Sequence, residues 1–104
     1  MQTVLIDTFT VPEESKAAFL AETRKIQSFL KTLPGFVEGF VYEKTAGENR
    51  INVVTTAVWE NDAAMESAKK TTAAQFQKIG FNPQQIMKEL KVEAGRAVYR
   101  RTPY

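Results

Sequence analysis

The sequence predicts an α+β fold of the ferredoxin-like kind, β-α-β-β-α-β, with both main helices on one face of an antiparallel sheet. Three observations carry that prediction. Four segments rich in β-branched and aromatic residues alternate in polarity, as strands do. Two longer segments repeat their apolar residues at helical spacing. Between the second and third strands lies only a short run of turn residues, which makes that pair a hairpin.

The elements follow in order. "TVLIDTFTV", residues 3–11, alternates with Leu5, Asp7 and Phe9 on one side and Val4, Ile6 and Thr8 on the other. Pro12, Glu13 and Glu14 suit a first helical turn, because proline has no N–H to lose there and acids favour the positive end of the dipole. Phe19, Thr23, Ile26, Leu30 and Leu33 then form one stripe, and Pro34 with Gly35 stops the helix. "FVEGFVYEK" and "RINVVTTAVW" flank the turn "TAGEN". Their parity places Val37 and Val41 opposite Phe36, Phe40 and Tyr42. In the third strand, Ile51, Val53, Ala57 and Trp59 oppose Val54 and Val58. Asn61 and Asp62 offer caps for a second helix whose inner face is Ala64, Ala68, Thr72, Gln75, Phe76 and Ile79. Gly80 breaks it, Asn82 and Pro83 open a short third helix, and "KVEAGRAVYRR" closes the chain as the last strand.

Composition bounds the chemistry. At 104 residues, with no linker, repeat or low-complexity stretch, the expectation is one domain spanning 1–104. There is no cysteine, which excludes disulfides, thiolate catalysis and Cys-ligated metals. There is no histidine, so the commonest general base, zinc ligand and proximal haem ligand are missing too. No metal or other cofactor is expected. The net charge of +2 gives no basis for a nucleic-acid partner, and Arg96, Arg100 and Arg101 read as the solvated end of a strand. No apolar run approaches a membrane span, and the first residues lack the pattern of a signal peptide, so a cytoplasmic location is expected.

Helices on one side should leave the other face of the sheet polar, yet several strands are apolar on both faces. A second apolar face marks a partner surface, and a second copy stacked sheet to sheet is the simplest partner. A homodimer through the face opposite the helices is the expectation, with Tyr42 and Tyr99 as interface or rim aromatics.

With these elements in place, the chain resembles the antibiotic biosynthesis monooxygenase family of the dimeric α/β-barrel superfamily over nearly its whole length. The marks are the strand and helix order, "LPGF" entering the second strand, "VWENDAAMESAKKT" joining the third strand to the second helix, and the final "VYRR". Enzymes of that family oxygenate polycyclic phenols, anthrones or quinols without flavin or metal, and one branch degrades haem. By resemblance, Trp59 is the family's pocket tryptophan. Asp7 stands where the haem-degrading branch has an asparagine, and Lys69 stands near its haem-ligating histidine. A chain without histidine lacks that route. Thr55 occupies the place of an asparagine found in some quinone-forming members, and Met65 that of a tyrosine.

Several residues admit two readings. Trp59 is a plug closing the core, a wall of an apolar pocket, or both. Asp7, inward on the first strand, is a desolvated base for a phenolic proton or a carboxylate paired with an arginine. Arg96 is a mid-strand charge that pairs with Asp7 or a partner-chain acid, or lies at an edge. Asn52 and Thr55 are candidates to orient a ligand oxygen, with only Thr55 on the side of Trp59. Phe76, Ile79, Phe81, Ile86, Met87 and Leu90 form an apolar cluster around the helix break, either a lid or core filling. The predicted function is a cofactor-independent monooxygenase of a small aromatic phenol, quinol or polyketide-like substrate. Its catalytic residue is Asp7, with Trp59, Thr55, Phe76 and Arg96 on the substrate. The alternative is a non-catalytic dimeric module that binds a small hydrophobic ligand.

Overall fold

A computed structural model of the chain describes residues 1–103; the last residue of the predicted domain, Tyr104, lies outside the described residues. The chain runs β1 (Thr3–Thr10), a single 3-10 turn (Glu13–Ser15), α1 (Lys16–Leu30), β2 (Phe36–Glu43), β3 (Val53–Trp59), α2 (Asp62–Ile79), α3 (Pro83–Glu89) and β4 (Glu93–Tyr99). The strands form one sheet in the order β2-β3-β1-β4, and every neighbouring pair is antiparallel. This is the ferredoxin-like α+β fold, with β2 and β4 at the edges.

Strand parity decides which residues meet the helices. Thr3, Leu5 and Phe9 of β1 and Val53, Thr55, Ala57 and Trp59 of β3 are buried. Their pairing partners on the same face are Val41 and Gly39 in β2 and Ala94, Arg96 and Val98 in β4. The core falls into two clusters. Leu5, Ala57, Trp59, Met65 and Ala68 form one, with Leu30, Leu33 and Phe36 packed on it. Phe9, Val11, Phe19 and Val53 form the other, with Met87, Leu90 and Val92 of the α3 region against them. Phe9 and Phe19 meet edge to face at 4.8 Å, an arrangement the aromatic quadrupole favours.

The caps sit where the sequence places them. Asn61 Oδ1 accepts from Ala64 N at 2.8 Å, and Asn82 Oδ1 accepts from Gln85 N at 3.1 Å. Gly80 ends α2 in the left-handed conformation with φ +72°. Gly35 carries φ +82° and also lies under α2, where a Cβ would come within 2.5 Å of Ala64 Cβ. Any side chain at 35 would push α2 off the sheet.

Four local expectations are corrected. A register shift between Phe36 and Glu38 flips the parity of β2, so Phe36 joins Val41 on the helix side while Phe40 and Tyr42 face the other way. Ile51 precedes β3 and is exposed. Ile79, the last residue of α2 before the Gly80 cap, is 60% exposed and takes no part in the inner face. Asn52 holds the chain at Val11, accepting from Val11 N at 2.9 Å and donating to Val11 O at 2.8 Å, so both ends of its amide are engaged in the fold.

Candidate functional site

A cavity of about 990 Å³ lies between the helix side of the sheet and the three helices. It exists because α1 and α2 rest on different parts of the sheet. Leu30 at the end of α1 and Met65 near the start of α2 pack around Trp59, and further along, small side chains (Ala68, Thr72, Ala73) leave room between the layers. Asp7, Thr55, Trp59, Phe76 and Arg96 all line this one space. So do Met65 and Lys69, the other two positions that the resemblance set against functional residues of the family.

On the sheet side, the charged wall is a transverse row, while Glu22 and Lys69 line the helix side. Thr55, Asp7 and Arg96 are direct neighbours across β3, β1 and β4. Arg96 Nε donates to Asp7 Oδ1 at 2.7 Å and Nη2 donates to Oδ2 at 3.0 Å, a bidentate pair. The Asp7 side chain is mostly buried and that of Arg96 more than half exposed. The hydrogen bonds it donates to Asp7 raise the guanidinium's affinity for its proton, and they outweigh the opposing effect of partial burial. Arg96 is thus both the partner of Asp7 and an edge-strand residue, two of the readings its position allowed.

Trp59 sits about 13 Å along β3 from Thr55, four residues at strand rise. It is only 2% exposed. Phe36 meets its ring edge to face at 5.4 Å, and Met65, Ala68 and Leu30 complete its surroundings. Its core-closing role and its place on the cavity wall coincide. At the far side, Phe76 bridges Phe29 of α1 at 6.3 Å and Phe81 at 4.8 Å. Phe81, Ile86 and Met87 border the cavity there. The apolar cluster around Gly80 therefore fills core with Met87 and Leu90 and forms wall with Phe76 and Phe81.

A second ionic group ties the neighbourhood together beyond the cavity. Asp62, the first residue of α2, accepts from Thr3 Oγ1 and from Arg100 Nη2, the latter at 2.7 Å. The bond from Thr3, then that from Arg100, holds the Asp62 carboxyl below the usual carboxylate range. Arg100 is thereby engaged in structure and not in anion capture.

Among the polar lining residues that sequence reasoning passed over as functional groups are Gln27 and Thr72. Thr72 carried a faint signal, a hydroxyl placed on the inner stripe of α2. Gln27 carried none, since its neighbour Ile26 is the apolar residue of that turn. Among the described residues, no group of three or more His, Cys, Asp or Glu side chains is placed to hold a metal ion.

An antiparallel four-stranded sheet with a helix-side cavity, closed by a tryptophan at the end of β3, defines a ferredoxin-like α+β domain with an apolar pocket between its layers. The antibiotic biosynthesis monooxygenase family matches residues 2–78, and this chain belongs to it. Solved structures agree on the fold. A putative monooxygenase from Shewanella loihica PV-4 superposes with TM-score 0.74 at 17% identity, covering 99% of this chain and 96% of that one. SnoaB, a cofactor-independent oxygenase from Streptomyces nogalater, gives TM-score 0.70 at 17% identity, with 99% and 95% covered. A haem-degrading protein from Mycobacterium tuberculosis gives TM-score 0.60 at 20% identity, with 66% and 78% covered. Among curated proteins, none matches the sequence.

Proposed function

We propose that this chain is a cofactor-independent monooxygenase acting on a small aromatic phenol or quinol, polyketide-like in shape. The observation that carries the reading is the 990 Å³ cavity with a largely apolar, aromatic wall and the Asp7–Arg96 ion pair set in its sheet side. Such a space suits a planar apolar ligand with one acidic hydroxyl. Family membership and the likeness to SnoaB support the same chemistry.

In this reading Asp7 accepts the phenolic proton. Arg96 then turns from a carboxylic acid to the new phenolate, so the guanidinium keeps an anionic partner throughout. The electron-rich anion reduces O₂ directly. One oxygen atom ends in the product as a carbonyl and the other leaves as water, with all four electrons and both of the water's hydrogens supplied by the substrate. Thr55 orients the ligand oxygen beside Asp7, while Trp59 and Phe76 hold the ring. The protein's share is proximity, exclusion of water and one base. No metal or organic cofactor takes part, and the setting is the cytoplasm. The functional unit is a homodimer joined through the sheet face opposite the helices.

The bidentate pair also supports a second reading. Both Asp7 oxygens are occupied, which suits a non-catalytic dimeric module that holds a small hydrophobic ligand. Oxygen uptake separates the two. With a dihydroxyanthrone as substrate, the protein should consume O₂ above the spontaneous rate, and Asp7→Asn should bind the compound equally well yet slow uptake by about 100-fold or more, the usual worth of a general base. Saturable binding with no uptake above background would leave the binding module.

A further inference from the structure

The wall of the cavity shows where it meets water. No residue of β4 is buried, and Ala94, Arg96 and Val98, on the helix side of that strand, are open to solvent. Lys69, Ala73 and Gln77 of α2 also line the cavity and are exposed. Spaced four residues apart, they form one line along the helix. The cavity thus opens between α2 and β4.

That rim carries one sign of charge. Among the described residues, Lys69 and Arg96 are the charged wall residues that are exposed, and both are cations. They differ in how fully the charge is met. Asp7 holds Arg96 at two atoms, at 2.7 and 3.0 Å. Lys69 meets Glu66, one turn back on its own helix, at 3.6 Å, and their side chains are 39% and 59% exposed. A pair of that kind contributes little, because water screens it and two long side chains must be ordered to make it. Glu22, the other charged residue on the helix side of the wall, is partly buried and is paired with Lys25 at 3.4 Å.

A lysine at the edge of an apolar space suits an anion that stays partly wet. A carboxylate at the rim keeps much of its hydration, so it avoids the desolvation that offsets an ion pair in the interior. Exchanging Glu66 for a ligand's carboxylate costs the protein little. One ammonium supplies one positive charge, which a monoanion matches. We propose that Lys69 is a specificity residue for a carboxylate carried on the aromatic ligand, whose rings lie inside the cavity while the acid group sits at the rim between α2 and β4. This rests on the reading that the cavity receives an aromatic ligand, and narrows that ligand to an aromatic carboxylic acid.

Two probes of matching outline test it, anthraquinone-2-carboxylic acid, an anion at pH 7, and its neutral carboxamide. Quenching of the single tryptophan, checked by calorimetry, reports affinity. The unmodified protein should bind the acid about three- to tenfold more tightly than the amide, as a partly exposed charged contact allows. The preference should shrink in high salt, a reading of the same charge that needs no variant. Lys69→Met keeps the bulk of the stem and removes the ammonium. It should bring the acid to within about twofold of the amide and leave amide affinity unchanged. Lys69→Arg should keep the preference, and circular dichroism should show both variants folded. An acid preference that survives Lys69→Met would place the carboxylate elsewhere and overturn the subsite, as would equal affinity of the unmodified protein for the two probes. Either result leaves the enzyme reading standing. Failure of both probes to bind would overturn the subsite and the aromatic-ligand reading together.

Discussion

At the scale of single residues, Trp59 acts through packing and Asp62 through charge. Trp59 is a packing residue first: it is almost wholly buried, and Phe36, Met65 and Leu30 surround it. Trp59→Ala should therefore cost about 3–5 kcal/mol in urea unfolding, from lost transfer energy and the cavity left behind. Trp59→Phe should be far milder, and equal costs for the two would show that shape at this site carries little stability. Asp62 gives a pH signature of a different kind. Its carboxyl is held below the usual range by Thr3 and Arg100, so the folded state binds a proton less readily than the unfolded chain. The stabilising contribution is complete above the unfolded pKa and is lost as pH falls through the lower folded value. Asp62→Asn should thus differ most from the unmodified protein at neutral pH, and the gap should narrow in thermal melts below about pH 4. A gap that does not change between pH 7 and pH 2 would show that the Asp62 contacts are not maintained by its charge.

Two glycines show how much a single backbone position does at the scale of elements. Gly35 and Gly80 both carry positive φ, but only Gly35 lies against another element. Gly80→Ala should cost about 1–2 kcal/mol from left-handed strain alone. Gly35→Ala adds the clash with Ala64 and should cost on the order of 2–5 kcal/mol. If chemical denaturation gave equal costs, the close approach of α2 to the β2 entry would not be tight in solution. The element order, both asparagine caps and the inward row Leu5, Asp7, Phe9 were legible in the sequence, because periodicity and capping are local and the residues state them. The bulge at Val37 was not, since a one-residue slip leaves "FVEGFVYE" equally strand-like in either parity. The exposure of Ile79 was not either, because helical spacing alone does not say where a helix stops being covered. For the site, strand parity put Asp7, Thr55 and Trp59 on one face. The Asp7–Arg96 pairing depended on the register of β1 with β4, two strands 89 residues apart in hydrogen-bonded contact, which left it as one of several readings of Arg96.

At the scale of the whole molecule, the described residues leave one face of the sheet without a layer. Val4, Ile6, Val54 and Val58 in the central strands and Phe40, Tyr42 and Tyr99 at the edges point away from the helices, and the three aromatics are half exposed. Phe40 and Tyr42 sit 6.1 Å apart, side by side on the edge strand. A patch of this kind in water is a cost that a second copy removes, and two twisted sheets stacked face to face supply the complementary shape. Light scattering at micromolar concentration should therefore give twice the chain mass. Ile6→Lys places a charge at the middle of the face, on a central strand, without touching Asp7, Trp59 or the helix side. It should convert the dimer to a monomer, since burying an unpaired ammonium between the sheets is prohibitive. Because parity sends Ile6 and Leu5 to opposite faces, the variant's cavity keeps every lining residue. A folded Ile6→Lys monomer should still quench its tryptophan with an aromatic ligand, though with a less stable fold. A monomer in the unmodified protein at these concentrations would sink the dimer, and loss of the cavity's ligand with the dimer would mean that the partner copy completes the site.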